Sequence, residues 1–286
     1  MEKKITNLYD RYYHGLLDRR EFLKKLSVLA GGAAAANALL PLLESRDASA
    51  EIIPKDDPRL LTDRIKYPGA TGEVRASIAR PKGNAKLPGM VIIHENRGLT
   101  PHIEDVARRV ALEGFLAIAP DALSPVGGTP EDETKAIALI GQLDRQSTIN
   151  NFLAAVKYLK TQPLSTGKVG VMGFCWGGGM ANQLAVSSPD LSAAVPFYGR
   201  QPASEDVAKI KASLLLHYAG LDEGINKGIA AYEVALKKAS IDYKIYMYEG
   251  AQHAFFNDTN AARYNKEAAQ LAWQRTVSFL NEKLKT

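Results

Sequence analysis

A single cysteine, Cys175, stands in a chain of 286 residues, so no intramolecular disulfide can form. With one cysteine no thiolate metal site can be built either. No metal or cofactor is expected. No tract of Lys and Arg stands out, because the formal charge of +5 is spread over interspersed acidic and basic residues. Binding phosphates takes clustered positive charge on one face or arm, so nucleic acid is not an expected partner. The uncharged stretch Ser27 to Leu43 sits at the short limit for crossing a bilayer and is interrupted by Gly31-Gly32 and Pro41, which argues against a stable membrane anchor. Beyond residue 60 there is no internal repeat, low-complexity block or linker, so residues 51–286 read as one domain.

What is present begins with an address. Residues 16–26, LLDRREFLKKL, precede the Ala-rich stretch, and Asp47-Ala48-Ser49-Ala50 follows it. A charged region, an apolar region and an A-x-A site in that order describe an export signal. Arg19-Arg20 with Glu21-Phe22-Leu23-Lys24 resembles the twin-arginine motif, a signal read by the export machinery. Residues 1–50 are therefore expected to be a leader cleaved after Ala50, leaving a periplasmic or secreted protein. The alternative keeps the leader on a cytoplasmic protein as an amphipathic helix, with Leu8, Tyr12, Leu16, Phe22 and Leu26 along its apolar face.

Strands and helices then alternate. Met90 to Ile93 is a short, β-branched, continuous apolar run of the kind buried on both sheet faces. Ile103, Val106, Ala107, Val110 and Ala111 recur at helical spacing, predicting a helix from about Pro101 to Gly114. Further strands are expected at 115–119, 169–172, 193–198, 213–218 and 243–248, with helices near 149–156, 176–187, 226–239 and 264–284. This pattern predicts an α/β fold with a mostly parallel central sheet and helices on both faces, and active sites of such sheets form at the carboxyl ends of the strands.

Gly173-Phe174-Cys175-Trp176-Gly177-Gly178 directly follows the 169–172 strand and opens a helix. It has the nucleophile-elbow pattern of α/β-hydrolases, with Cys where Ser is commoner. Gly173 and Gly177 are required because a Cβ at either place would crowd the neighbouring chain in so sharp a turn. The helix N-terminus favours a thiolate and a developing oxyanion. A lone cysteine is ordinarily a small buried hydrophobe; in this setting Cys175 reads as a nucleophile.

In that fold the acid and then the base follow the nucleophile. Asp222 lies just past the 213–218 strand and His253 just past the 243–248 strand. His94 and His102 precede the cysteine, His14 falls in the leader, and His217 is inside a strand, so His253 is the candidate base. The expected oxyanion hole combines the N–H of Trp176 with that of Asn96, in the loop after the third strand.

Together with Glu95 and Phe197-Tyr198-Gly199, these residues resemble the dienelactone hydrolase family over about residues 60–284. The resemblance implies a cofactor-free α/β-hydrolase that cleaves esters or lactones with a triad of Cys175, Asp222 and His253. It also implies that Glu95 tunes the resting thiol, although a glutamate at a strand end serves equally as a structural hydrogen-bonding residue. One feature departs from the family. Its enzymes hold a substrate carboxylate with arginines, one shortly after the catalytic histidine, where this chain has Ala254-Phe255-Phe256-Asn257. Arg97 and Arg200 are the candidate substitutes, against a plain surface role for each. Trp176, Phe255 and Phe256 suggest a partly apolar pocket, against simple packing. Two other functions fit the same fold: a non-catalytic ligand-binding protein, and a redox-sensing thiol at Cys175.

Overall fold

The computed structural model describes residues 2–13, 17–44 and 52–285. Among them eight strands form one sheet: β1 (Leu60–Gly69), β2 (Gly72–Pro81), β3 (Leu87–Ile93), β4 (Leu116–Pro120), β5 (Ser165–Phe174), β6 (Ala193–Phe197), β7 (Ser213–Ala219) and β8 (Tyr243–Tyr248). Their order across the sheet is β1-β2-β4-β3-β5-β6-β7-β8. β2 runs antiparallel to β1 and β4, and all later neighbours are parallel. The helices are α1 (Glu2–Tyr13), α2 (Arg19–Ala30), α3 (Ala33–Glu44), α4 (Pro101–Leu112), α5 (Glu133–Gln142), α6 (Arg145–Lys160), α7 (Trp176–Ser187), α8 (Glu223–Asn226), α9 (Ile229–Lys238) and α10 (Lys266–Leu284). This is the α/β-hydrolase arrangement that the sequence predicts.

The continuous apolar runs make a two-sided core. Side chains alternate across a strand, so Met90 and Ile92 of β3 join the layer under α4 and α10, while Val91 and Ile93 join the layer under α6 and α7. All four are fully buried, each contributing roughly 1.5–3 kcal/mol. α4 begins with Pro101 after Thr100 and stops before Gly114, whose φ of +86° terminates it. The helix expected over 226–239 is broken at Lys227-Gly228 into α8 and α9.

The β1–β2 hairpin lacks a counterpart in the sequence reading. Asp63, Arg64 and Lys66 interrupt its apolar pattern, because β1 is an edge strand with most of its side chains in solvent. Charges on such an edge discourage pairing with another chain.

Before the sheet, α2 is capped by Asp18, whose carboxylate accepts from Glu21 N–H at 2.7 Å, and it ends at Gly31 in the left-handed region. Tyr12 stacks on Phe22 at 4.5 Å, and Leu8, Tyr9, Phe22 and Leu26 are buried in the layer that also holds Phe255 and Phe256. The Asp47–Ala50 site, His14 and Leu16 lie outside the described residues. Among the described residues no helix is long and apolar enough to cross a membrane.

Candidate active site

β5 delivers Cys175 to the first position before α7, with φ 56° and ψ −117°. That backbone is uncommon for a residue with a side chain. The glycines explain how it is reached. A Cβ on Gly173 would lie 2.0 Å from the carbonyl oxygen of Gly177, and one on Gly177 would lie 2.3 Å from that of His94. The first turn of α7 is thus pressed against the ends of β3 and β5. Two further non-glycine residues with positive φ, Tyr198 and Ala254, flank the same site. Strain collected at one place marks a site that the rest of the fold holds in shape.

The expected acid and base meet there. Asp222 follows β7 and His253 follows β8, and the parallel register sets Ala219 opposite Tyr248, so both loops leave the same sheet edge. Asp222 Oδ2 accepts a hydrogen bond from His253 Nδ1, and its other oxygen caps α8 through Ile225 N–H at 3.3 Å. Tyr198 sets its ring edge-on to the imidazole at 4.9 Å. Burial opposes a charge on His253, but the charge of Asp222, the neighbouring Cys175 and hydrogen bonds to both outweigh it and push His253 up to about 10.

Glu95 and Asn96 leave the end of β3 and are buried. Glu95 Oε2 accepts from the side-chain amide of Asn257 at 2.7 Å, while Oε1 is buried with no hydrogen-bond partner among the described residues. The amide of Asn257 cannot be turned over at no cost, because its oxygen accepts from the N–H and hydroxyl of Thr259 at 3.0 and 2.7 Å. His94 is fully buried and stacks on Trp176 at 5.4 Å, the ring planes nearly parallel at 14°.

Cys175 opens into a cavity of about 480 Å³ that Asn96, Trp176 and Tyr198 also line. Ile137, Ile140, Leu143, Met180 and Ile225 form its apolar wall, and Gln183, Gln201, Arg145 and Arg200 its polar part. Of the two arginines singled out in the sequence, Arg200 faces this cavity; Arg97 instead pairs with Glu133 at 2.9 Å and donates to the hydroxyl of Tyr9 at 3.3 Å. Phe255 and Phe256 are core residues and do not line the cavity. Among the described residues no group of three His, Cys, Asp or Glu gathers as a metal site.

Sequence reasoning missed Asn257 and Arg145. Asn257 had a usable signal, being four residues past His253 in the same loop. Arg145 had none, since only the fold of α5 and α6 over the elbow brings it to the cavity.

Residues 74–284 match the model of the dienelactone hydrolase family, and residues 2–31 match that of a family described as YqhI-like. A protein of Saccharolobus solfataricus provisionally named carboxymethylenebutenolidase is 35% identical over 254 residues, which span 76% of this chain and 96% of that one. A Bradyrhizobium protein provisionally named 2-oxo-3-(5-oxofuran-2-ylidene)propanoate lactonase is 31% identical over 227 residues, spanning 74% and 91% of the two chains. A crystal structure from Klebsiella pneumoniae, provisionally described as a dienelactone hydrolase, superposes with a TM-score of 0.71 at 26% identity, covering 77% of this chain and 97% of its own. With the match running from β2 through α10, and so across the elbow and both loops, the chain belongs to the dienelactone hydrolase family.

Proposed function

We propose that this hydrolase cleaves carboxylic esters or lactones through a thioacyl-enzyme, with Cys175 as nucleophile, His253 as acid and base, and Asp222 as the residue that orients His253. The observation that carries this reading is the imidazole held between Asp222 and the thiol of Cys175, beside the cavity.

Nδ1 of His253 is committed to Asp222, so Nε2 takes the thiol proton. The Cys175 sulfur then bonds to the substrate carbonyl carbon, and the carbonyl electron pair moves onto oxygen. The N–H groups of Asn96 and Trp176 stabilise that oxyanion, each such donor contributing about 10²–10³ in rate. When the carbonyl re-forms, the alkoxide leaves with the proton from His253; from a lactone, the new hydroxyl stays on the acyl group. Water, losing a proton to His253, attacks the thioester, and the sulfur leaves as thiolate. Glu95, beside Asn96, tunes the nucleophile. No metal or cofactor takes part. Arg200 and Arg145, without an acidic partner among the described residues, receive an anionic group of the substrate.

The test is hydrolysis of a panel of activated esters and lactones by the wild type, Cys175→Ala and His253→Ala. Turnover that both substitutions abolish supports the reading. Turnover that survives Cys175→Ala ends it.

The address is also a proposal. On the first reading, residues 1–50 direct the folded chain to the twin-arginine machinery and are removed, leaving the enzyme in the periplasm or outside the cell. A second reading, with the segment retained, is favoured by the burial of Leu8, Tyr12, Phe22 and Leu26. Cell fractionation with intact-mass measurement separates them: a mature mass starting at Glu51 supports export, and a full-length cytoplasmic protein supports retention.

A further inference from the structure

We infer that His94 is a positioning residue for the oxyanion-stabilising groups: it fixes the peptide that carries the Asn96 N–H and seats the indole of Trp176.

His94 precedes Cys175 in the chain and takes no part in the proton transfers, yet it is wholly buried at the end of β3. Both ring nitrogens are used. Nδ1 lies 2.6 Å from the carbonyl oxygen of Glu95, which can only accept, so Nδ1 donates. Nε2 lies 3.1 Å from the backbone N–H of Ala122, which can only donate, so Nε2 accepts. The ring is therefore the neutral Nδ1–H tautomer. Burial, the first cause, holds its pKa low, against the pull of the Glu95 carbonyl and of the Asp121 and Glu95 carboxylates.

The bond to the Glu95 carbonyl matters because of peptide geometry. The C=O of Glu95 and the N–H of Asn96 belong to one planar trans unit and point in opposite directions. Drawing the oxygen onto the imidazole turns the Asn96 N–H away from it, and Asn96 lines the cavity that holds Cys175. The same ring stacks on Trp176, which follows Cys175 and supplies the second expected donor. Ala122, in the turn after β4, anchors the far edge of the ring, so one side chain links the Glu95–Asn96 peptide and the Trp176 indole to the sheet.

The inference rests on the proposed oxyanion role of Asn96 and Trp176, and the experiment separates the two. His94→Asn keeps a donor near the Nδ1 position; His94→Gln reaches the Nε2 position and loses the Glu95 bond. In the full-length chain, His94→Gln is expected to lose about 10–100-fold in kcat on an activated ester, with KM within about threefold. His94→Asn recovers most of that loss. Alkylation of Cys175 by iodoacetamide proceeds at the wild-type rate in both, because the nucleophile is untouched. Equal losses in the two variants, a loss carried by KM, or alkylation slowing in step with kcat would overturn the inference. Cys175→Ala run alongside reports on the triad reading alone. Should either variant fail to fold, nitrogen-15 NMR of wild-type histidine decides: a neutral Nδ1–H signal for His94 that shifts when a trifluoromethyl ketone forms its adduct with Cys175 supports the role, and an unmoved signal overturns it.

Discussion

Asn257 holds Glu95 across the mouth of the elbow, its amide nitrogen 2.7 Å from the carboxylate, so the loop that carries His253 also fixes the residue beside Asn96. One loop thereby carries His253 and holds the Glu95 side chain.

Removing that amide leaves a buried carboxylate short of its donor. Asn257→Ala is expected to cost about 1–3 kcal/mol, read as a fall in melting temperature of roughly 2–4 °C per kcal/mol. Asn257→Asp, which sets a second carboxyl against Glu95, is expected to fall further at pH 8 than at pH 5. An Asn257→Ala protein that melts with the wild type would show that the bond contributes nothing.

Two histidines set opposite pH limits on stability. His253 is raised from 6.5 to about 10, so its contribution is full below about pH 6.5 and is lost as pH rises through 10. His217, fully buried between Tyr248 and Thr276, is lowered from 6.5 to about 3, burial being the main cause. Its contribution is present above about pH 6.5 and is lost as pH falls toward 3. Melting temperatures from pH 4 to 10.5 should fall at both ends, with Asp222→Asn bringing the alkaline fall to lower pH. An alkaline limb unchanged in Asp222→Asn would contradict the assignment.

The glycines separate by what surrounds them. Gly177→Ala meets backbone at 2.3 Å and is expected to cost more than about 4 kcal/mol or to prevent folding. Gly141, inside α5, has nothing within 4 Å of an added Cβ, and Gly141→Ala is expected to gain about 0.5–1 kcal/mol. Urea unfolding of the two variants gives the contrast directly.

On the proposed reading, substrate charge is read by Arg200 and Arg145, which line the cavity. Arg200→Ala with Arg145→Ala should raise KM for acid-bearing esters by about 5–30-fold, in keeping with roughly 1–2 kcal/mol from charge-assisted bonds at a half-open site. KM for neutral esters and kcat for both should stay within about twofold. Equal effects on acidic and neutral esters would remove the arginines from substrate recognition.

The parallel half of the fold is legible because its central strands carry continuous apolar runs, and the elbow is legible because only glycine fits two residues to either side of Cys175. The β1–β2 hairpin is not, since its charged residues face solvent at a sheet edge and break the alternation that marks a strand. Asp222 and His253 follow from chain order and strand ends. Arg145 does not, because its place depends on how α5 and α6 cross the cavity. His94 is set aside in the sequence for preceding the nucleophile; order along the chain speaks to triad membership and says nothing of a buried ring bonded to the Glu95 carbonyl and stacked on Trp176.

The Asp105 carboxylate accepts from the N–H groups of Ile52 and Ile53, at 3.3 and 2.8 Å, and pairs with Arg109, which also pairs with Asp258 in the His253 loop. Arg108 adds a bond to the Ile53 carbonyl at 2.7 Å. Traction on the chain ahead of residue 52, such as a translocating motor exerts, therefore meets a clamp before it meets the sheet, and that clamp shares its ions with the loop that carries His253. Pulling at residue 52 in an optical trap should show a first yield that Asp105→Asn lowers, well below the force that unravels the strands.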